Sequence, residues 1–155
     1  MGASGWDYCV PYQPDVEAAF LQLQDQVLAS GDFLWDEEHY GAPRPGTREE
    51  LEAVKEGPAF WEEGTHTVLD MDRVVPAYME NDDEDPDDVG AIRPMSADET
   101  REYLGADRPA EDDFFRVYRQ FGAIVDGISR WTGRYTILYD AEGEQQIVFF
   151  GVSGD

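Results

Sequence analysis

The chain has 155 residues, 41% of them hydrophobic and 13% aromatic, which suits one folded domain and excludes a disordered polymer. Asp and Glu number 35 against 11 Lys and Arg, a formal net charge of -24 that works against binding nucleic acid or an anionic lipid surface. Cys9 is the only cysteine, so no intramolecular disulfide can form, and no apolar run approaches the roughly 20 residues of a membrane helix.

From the N-terminus, Trp6, Tyr8, Val10 and Tyr12 alternate with Asp7, Cys9 and Pro11, the pattern of an aromatic strand whose end Pro11 places at a sheet edge. Pro14-Asp15 opens a helix with an apolar stripe of Val16, Phe20, Leu23, Val27 and Leu28, and Gly31 is its stop. Residues 32–46 read as a loop carrying Phe33, Leu34, Trp35 and Tyr40 between the prolines and glycines. Thr47 and Glu50 have the capping-box spacing, so a second helix starts there and ends before Gly57-Pro58. Residues 59–64 form a connector, and residues 65–71 read as a second strand.

The block from Glu80 to Asp88 is nearly all acid and reads as a solvated loop. Ser96 and Glu99 again have capping-box spacing and start a short helix that runs to Leu104. From Glu111, Phe114, Val117, Tyr118, Phe121, Ile124, Val125 and Ile128 recur at helical steps. Residues 134–140 and 145–152 then make a hairpin around the polar residues 140–144. The expected architecture is a single α+β domain over residues 1–155. It has about four strands in a largely antiparallel sheet, a C-terminal β-hairpin, and helices packed on it.

No chemistry-bearing motif emerges. The acidic block departs from the calcium-loop template, since Pro86 interrupts it and the central glycine and closing glutamate are misplaced. Cys9, His39 and His66 lack zinc spacing, so neither a metal nor another cofactor is expected. His66 near Asp70 and Asp72 has no nucleophile motif around it and reads as a half-buried structural residue on a strand.

The segments Gly5-Trp6-Asp7-Tyr8-Cys9-Val10-Pro11-Tyr12, Gly64-Thr65-His66-Thr67-Val68-Leu69-Asp70 and Phe149-Phe150-Gly151-Val152-Ser153-Gly154-Asp155 resemble those of small, uncharacterised proteins of GC-rich actinobacteria. In general character (small, acidic, motif-free) the chain is also similar to immunity proteins of bacterial toxin systems. Neither resemblance assigns a role to any residue.

The expected function is therefore non-enzymatic: an acidic, immunity- or antitoxin-like inhibitor docking on a basic partner such as a toxin nuclease. Its expected contact residues are Trp35, Asp36, Glu37, Glu38, Tyr40, Trp61, Glu62 and Glu63, with Phe60 beside them. Tyr78, Glu80, Asp82, Asp83, Glu84, Asp85, Asp87 and Asp88 complete the set. Alternatives are a DNA mimic that occupies DNA-binding proteins, and a small enzyme or ligand-binding domain with Trp6, Tyr8, His66 and Tyr135 around a pocket. A further alternative is a surface charged only for solubility in salt. Without the basic flank and apolar stretch of a signal peptide, a cytoplasmic location is expected.

Overall fold

The computed structural model describes residues 4–75, 89–120 and 127–154. Five strands form one mixed sheet: β1 (Gly5–Pro11), β2 (Arg73–Val74), β3 (Ala91–Pro94), β4 (Thr132–Asp140) and β5 (Gly143–Val152). Their order is β1-β5-β4-β3-β2. The α+β class holds, but the sheet has five strands and not about four. It is antiparallel only where β5 meets β1 and β4; β3 runs parallel to both β4 and β2.

The corrections have local causes. Residues 65–71 are not a strand. Thr67 caps a 3-10 turn over Val68–Asp70, and His66 sits at a φ of 59°, which breaks any extended run. The strands on this side are instead the short β2 and β3, too brief to show alternation. The stretch expected as a loop contains a helical turn, α2 (Glu37–Tyr40), capped by Asp36 and stopped by Gly41 at a φ of 65°. The expected connector is another such turn, α4 (Phe60–Glu63). The hairpin turn is tighter than residues 140–144, because Asp140 already pairs with Gly143.

The longer helices start where their caps stand. Asp15 accepts from Ala18 N–H at the head of α1 (Val16–Ser30), and Gly31 closes it in the left-handed region. Thr47 accepts from Glu50 N–H to start α3 (Arg48–Lys55); the Glu50 carboxylate reaches Gly46 N–H, so the box is not reciprocal at Thr47. A reciprocal capping box of Ser96 and Glu99 starts α5 (Ala97–Leu104). The last helix, α6, is described over Glu111–Arg119; Phe121, Ile124 and Val125 lie outside the described residues.

Alternation along the strands divides the core between the two faces of the sheet. Trp6, Tyr8, Val10, Ile92, Tyr135, Ile137, Ile147 and Phe149 face α1 and pack with Phe20, Leu23, Val27, Leu51, Phe60 and Leu69. Cys9, Leu138, Val148 and Phe150 face the other way and pack with Leu104, Phe114, Val117, Tyr118 and Ile128. The expected helix-on-hairpin unit is this second cluster. Gln24 is buried on α1, and its amide donates to the carbonyls of Val68 and Met71, which fixes the 3-10 turn against the helix. Among the described residues no helix is long and apolar enough to cross a membrane.

Candidate functional site

Two short helices stand side by side on the α1 face of the molecule. Asp36 accepts from the N–H groups of Glu38 and His39, so its carboxylate and those of Glu37 and Glu38 crowd the first turn of α2. α4 contributes Glu62 and Glu63. His39 joins the two: its Nε2 lies 3.2 Å from the Ala59 carbonyl and 3.6 Å from Glu62 Oε2. Asp36, Glu37, Glu38 and Glu62 are exposed, and Glu63 is half-buried.

Beneath these acids runs a continuous line of rings. Trp35 and Tyr40 have centroids 4.5 Å apart, Tyr40 and Phe60 6.0 Å, Phe60 and Trp61 5.3 Å, and Trp61 and Trp131 5.2 Å. The polar handles of Trp35, Trp61 and Tyr40 are tied to backbone. Trp35 Nε1 donates to the Ala42 carbonyl, Trp61 Nε1 to that of Lys55, and the Tyr40 hydroxyl to that of Gly64. Burial, with the charges of Glu63, Asp70 and Asp36 nearby, pushes the Tyr40 phenol up, so it stays a neutral donor. The result is a preorganised acidic surface, because the rings that support it cannot turn without losing these bonds.

The structure thus brings together Trp35, Asp36, Glu37, Glu38, Tyr40, Trp61, Glu62 and Glu63 as expected neighbours. Tyr78, Glu80, Asp82, Asp83, Glu84, Asp85, Asp87 and Asp88 lie outside the described residues. The surrounding sequence is one-sided: Asp15 to Glu63 holds thirteen acids against three cations. All three cations are engaged by protein groups. Arg44 donates to the carbonyls of Gly31 and Phe33, Arg48 pairs with Asp25, and the buried Lys55 bonds Asp72 and the Met71 carbonyl.

Nothing in the sequence marks the group that anchors this face. Asp70 is fully buried and accepts from Thr65 N–H, Thr65 Oγ1, His66 N–H and the Ser153 hydroxyl. Burial raises its pKa, against the lowering effect of the Ser153 and Thr65 hydrogen bonds and the Lys55 charge. Trp131 lies over Gly64 and Gly154; a Cβ on Gly64 would stand 2.7 Å from the indole and 2.8 Å from Asp70 Oδ2. Only glycine fits at that crossing.

Among the described residues, His66 lines neither of the two larger clefts. His66 gives its N–H to Asp70 and heads the 3-10 turn, off any strand. Trp6 and Tyr8 rest against each other with centroids 6.1 Å apart, while Tyr135 packs on Phe149. Those two clefts, of about 440 and 230 Å³, open elsewhere. One is lined by Glu111, Asp112, Asp140 and Gln145, the other by Met95, Asp107, Pro109 and Ile137. Among the described residues no three His, Cys, Asp or Glu side chains are grouped as metal ligands. Compared with protein-family models, with characterised proteins and with solved structures, the chain matches none.

Proposed function

We propose that this chain is a non-catalytic binding protein that uses the α2–α4 face to dock on a basic protein, as an immunity or antitoxin-like inhibitor covers the cationic cleft of a toxin nuclease. The observation that carries this is the grouping of Asp36, Glu37, Glu38, Glu62 and Glu63 over the Trp35–Trp131 ring line, with the three cations of the same region engaged by backbone carbonyls or carboxylates. Exposed acids speed and select the encounter with a basic partner, and half-buried aromatics beneath them supply the contact area that holds it.

The test is to mix the protein with the basic product of a neighbouring gene and follow both complex formation and the partner's activity across a salt series. A salt-sensitive complex that silences the partner is the expected result. Reversing two charges, Glu37→Lys with Glu62→Lys, weakens that complex by about tenfold or more while leaving the circular dichroism spectrum unchanged. Full partner activity at stoichiometric excess, or a complex indifferent to the double reversal, ends this reading. Displacement of DNA from several unrelated basic binders would replace it with DNA mimicry.

A further inference from the structure

The two edges of the sheet are built differently. Among the described residues β2, at one edge, spans Arg73–Val74. β1 is seven residues long and keeps an unbroken register with β5 from Gly5 to Pro11. Its hydrogen bonds fix which residues face which way. Ser153 N–H donates to the Ser4 carbonyl, and Tyr12 N–H donates to the Gln145 carbonyl. Even-numbered residues therefore address β5. The backbone groups of Gly5, Asp7 and Cys9, with the Pro11 carbonyl, point away from the sheet. Among the described residues no strand pairs with them.

Asp7 is the one charged side chain within β1, and the other devices that blunt an edge are not found along the strand itself. β1 has no bulge, no lysine and no arginine, and its proline stands at the last position. Acids flank it on both faces. Asp7 lies on the α6 side near Tyr118, and the charge of Glu111 acts on Cys9 from the same side. Asp32 acts on Tyr8 from the α1 side. A second copy of the chain is a poor occupant, because edge-to-edge pairing would bring two molecules of net charge -24 together along these acids.

We infer that β1 is a docking edge that takes an extended, arginine- or lysine-bearing segment of another protein as a sixth strand of the sheet. The ladder bonds come from the outward groups of Gly5, Asp7, Cys9 and Pro11. Alternate side chains of the guest share one face, so its cations reach Asp7 and Glu111 while the residues between them lie on the α1 side. This edge is separate from the α2–α4 surface and does not depend on its role.

Amide hydrogen exchange on the full chain tests it, with an end-blocked Arg-Val-Arg-Val-Arg-Val peptide as the probe. In the free protein the amides of Asp7 and Cys9 exchange fast while those of Tyr8 and Val10 are protected. Adding the peptide slows Asp7 and Cys9 by about tenfold or more, and the same peptide N-methylated at every residue does not. Three results overturn the inference. Asp7 and Cys9 are as protected as Tyr8 and Val10 in the free protein; or the methylated peptide binds equally well, leaving charge alone; or rising protein concentration gives the same protection together with a dimer in sedimentation.

Discussion

Two carboxylates that leave water do so by opposite means. Asp70, on the α1 side of the sheet, is satisfied by two backbone N–H groups and two hydroxyls, all neutral. Glu99, on the α5 side, is held by Arg93 through two bonds of 2.9 and 2.7 Å and by Ser96 N–H at 2.8 Å. The surroundings match the contrast. Residues 15–63 hold three cations for thirteen acids, whereas residues 89–154 hold seven for eleven. Where cations are scarce and already engaged, a buried acid is solvated by dipoles. Where arginines are at hand, it is solvated by charge.

The difference predicts opposite responses to pH. Burial raises Asp70 above its ordinary 3.8, so the folded chain holds that proton more tightly than the unfolded one. Its contribution to stability is complete below pH 3.8 and is lost as pH climbs through the folded value. For Glu99, burial acts upward, but the Arg93 and Ser96 hydrogen bonds and the charges of Arg93 and Arg134 bring the net shift below 4.5. Its contribution is present above pH 4.5 and is lost as pH falls through the folded value.

The largest effect is expected from Asp70→Ala. It strands several buried donors at once, and urea denaturation should show a loss of about 3–5 kcal/mol, while Glu99→Ala, at a half-buried position, loses about 2 kcal/mol. Equal losses would break the comparison. Next come the shape-preserving variants, followed by urea midpoints from about pH 3 to about pH 8. Asp70→Asn flattens the decline on the alkaline side, and Glu99→Gln flattens the fall on the acid side. The reverse assignment would show that the two environments have been exchanged. A smaller effect, about 1–2 kcal/mol, is expected from Ser96→Ala, which removes the hydroxyl that caps α5 and leaves the Ser96 N–H bond to Glu99 in place. Thr47→Ala should cost about 1 kcal/mol or less, because Glu50 bonds Gly46 and not the cap itself. The smallest effect is that of the exposed Arg101→Ala, within about 0.5 kcal/mol by thermal melting, since its partners Asp98 and Asp107 lie largely in water.

Where local chemistry decides the backbone, the fold is legible in the residues. Asp15, Thr47 and Ser96 announce their helices, Gly31 ends one of them, and alternation in Trp6–Tyr12 and across the hairpin assigns each side chain its face of the sheet. Residues 65–71 show what competes with alternation. Thr-His-Thr-Val-Leu alternates like a strand, but Asp70 turns back to accept from its own loop, and Thr67 caps the 3-10 turn. That tertiary bond, closed by Ser153 from the far end of the sequence, leaves no periodic trace. The α2–α4 surface is half legible in the residues. Its acids and rings are adjacent in sequence, but His39 bridging to α4 and Trp131 completing the ring line are long-range pairings.

The seat of Trp131 between Gly64 and Gly154 gives the molecule its own optical gauge. This indole rests on the tail that Ser153 pins to Asp70, so it senses whether that tail is docked. Release of the tail opens the ring to water and moves its emission to longer wavelength. A chain carrying Trp131 as its sole tryptophan would report the detachment of its last strand before the rest of the sheet comes apart.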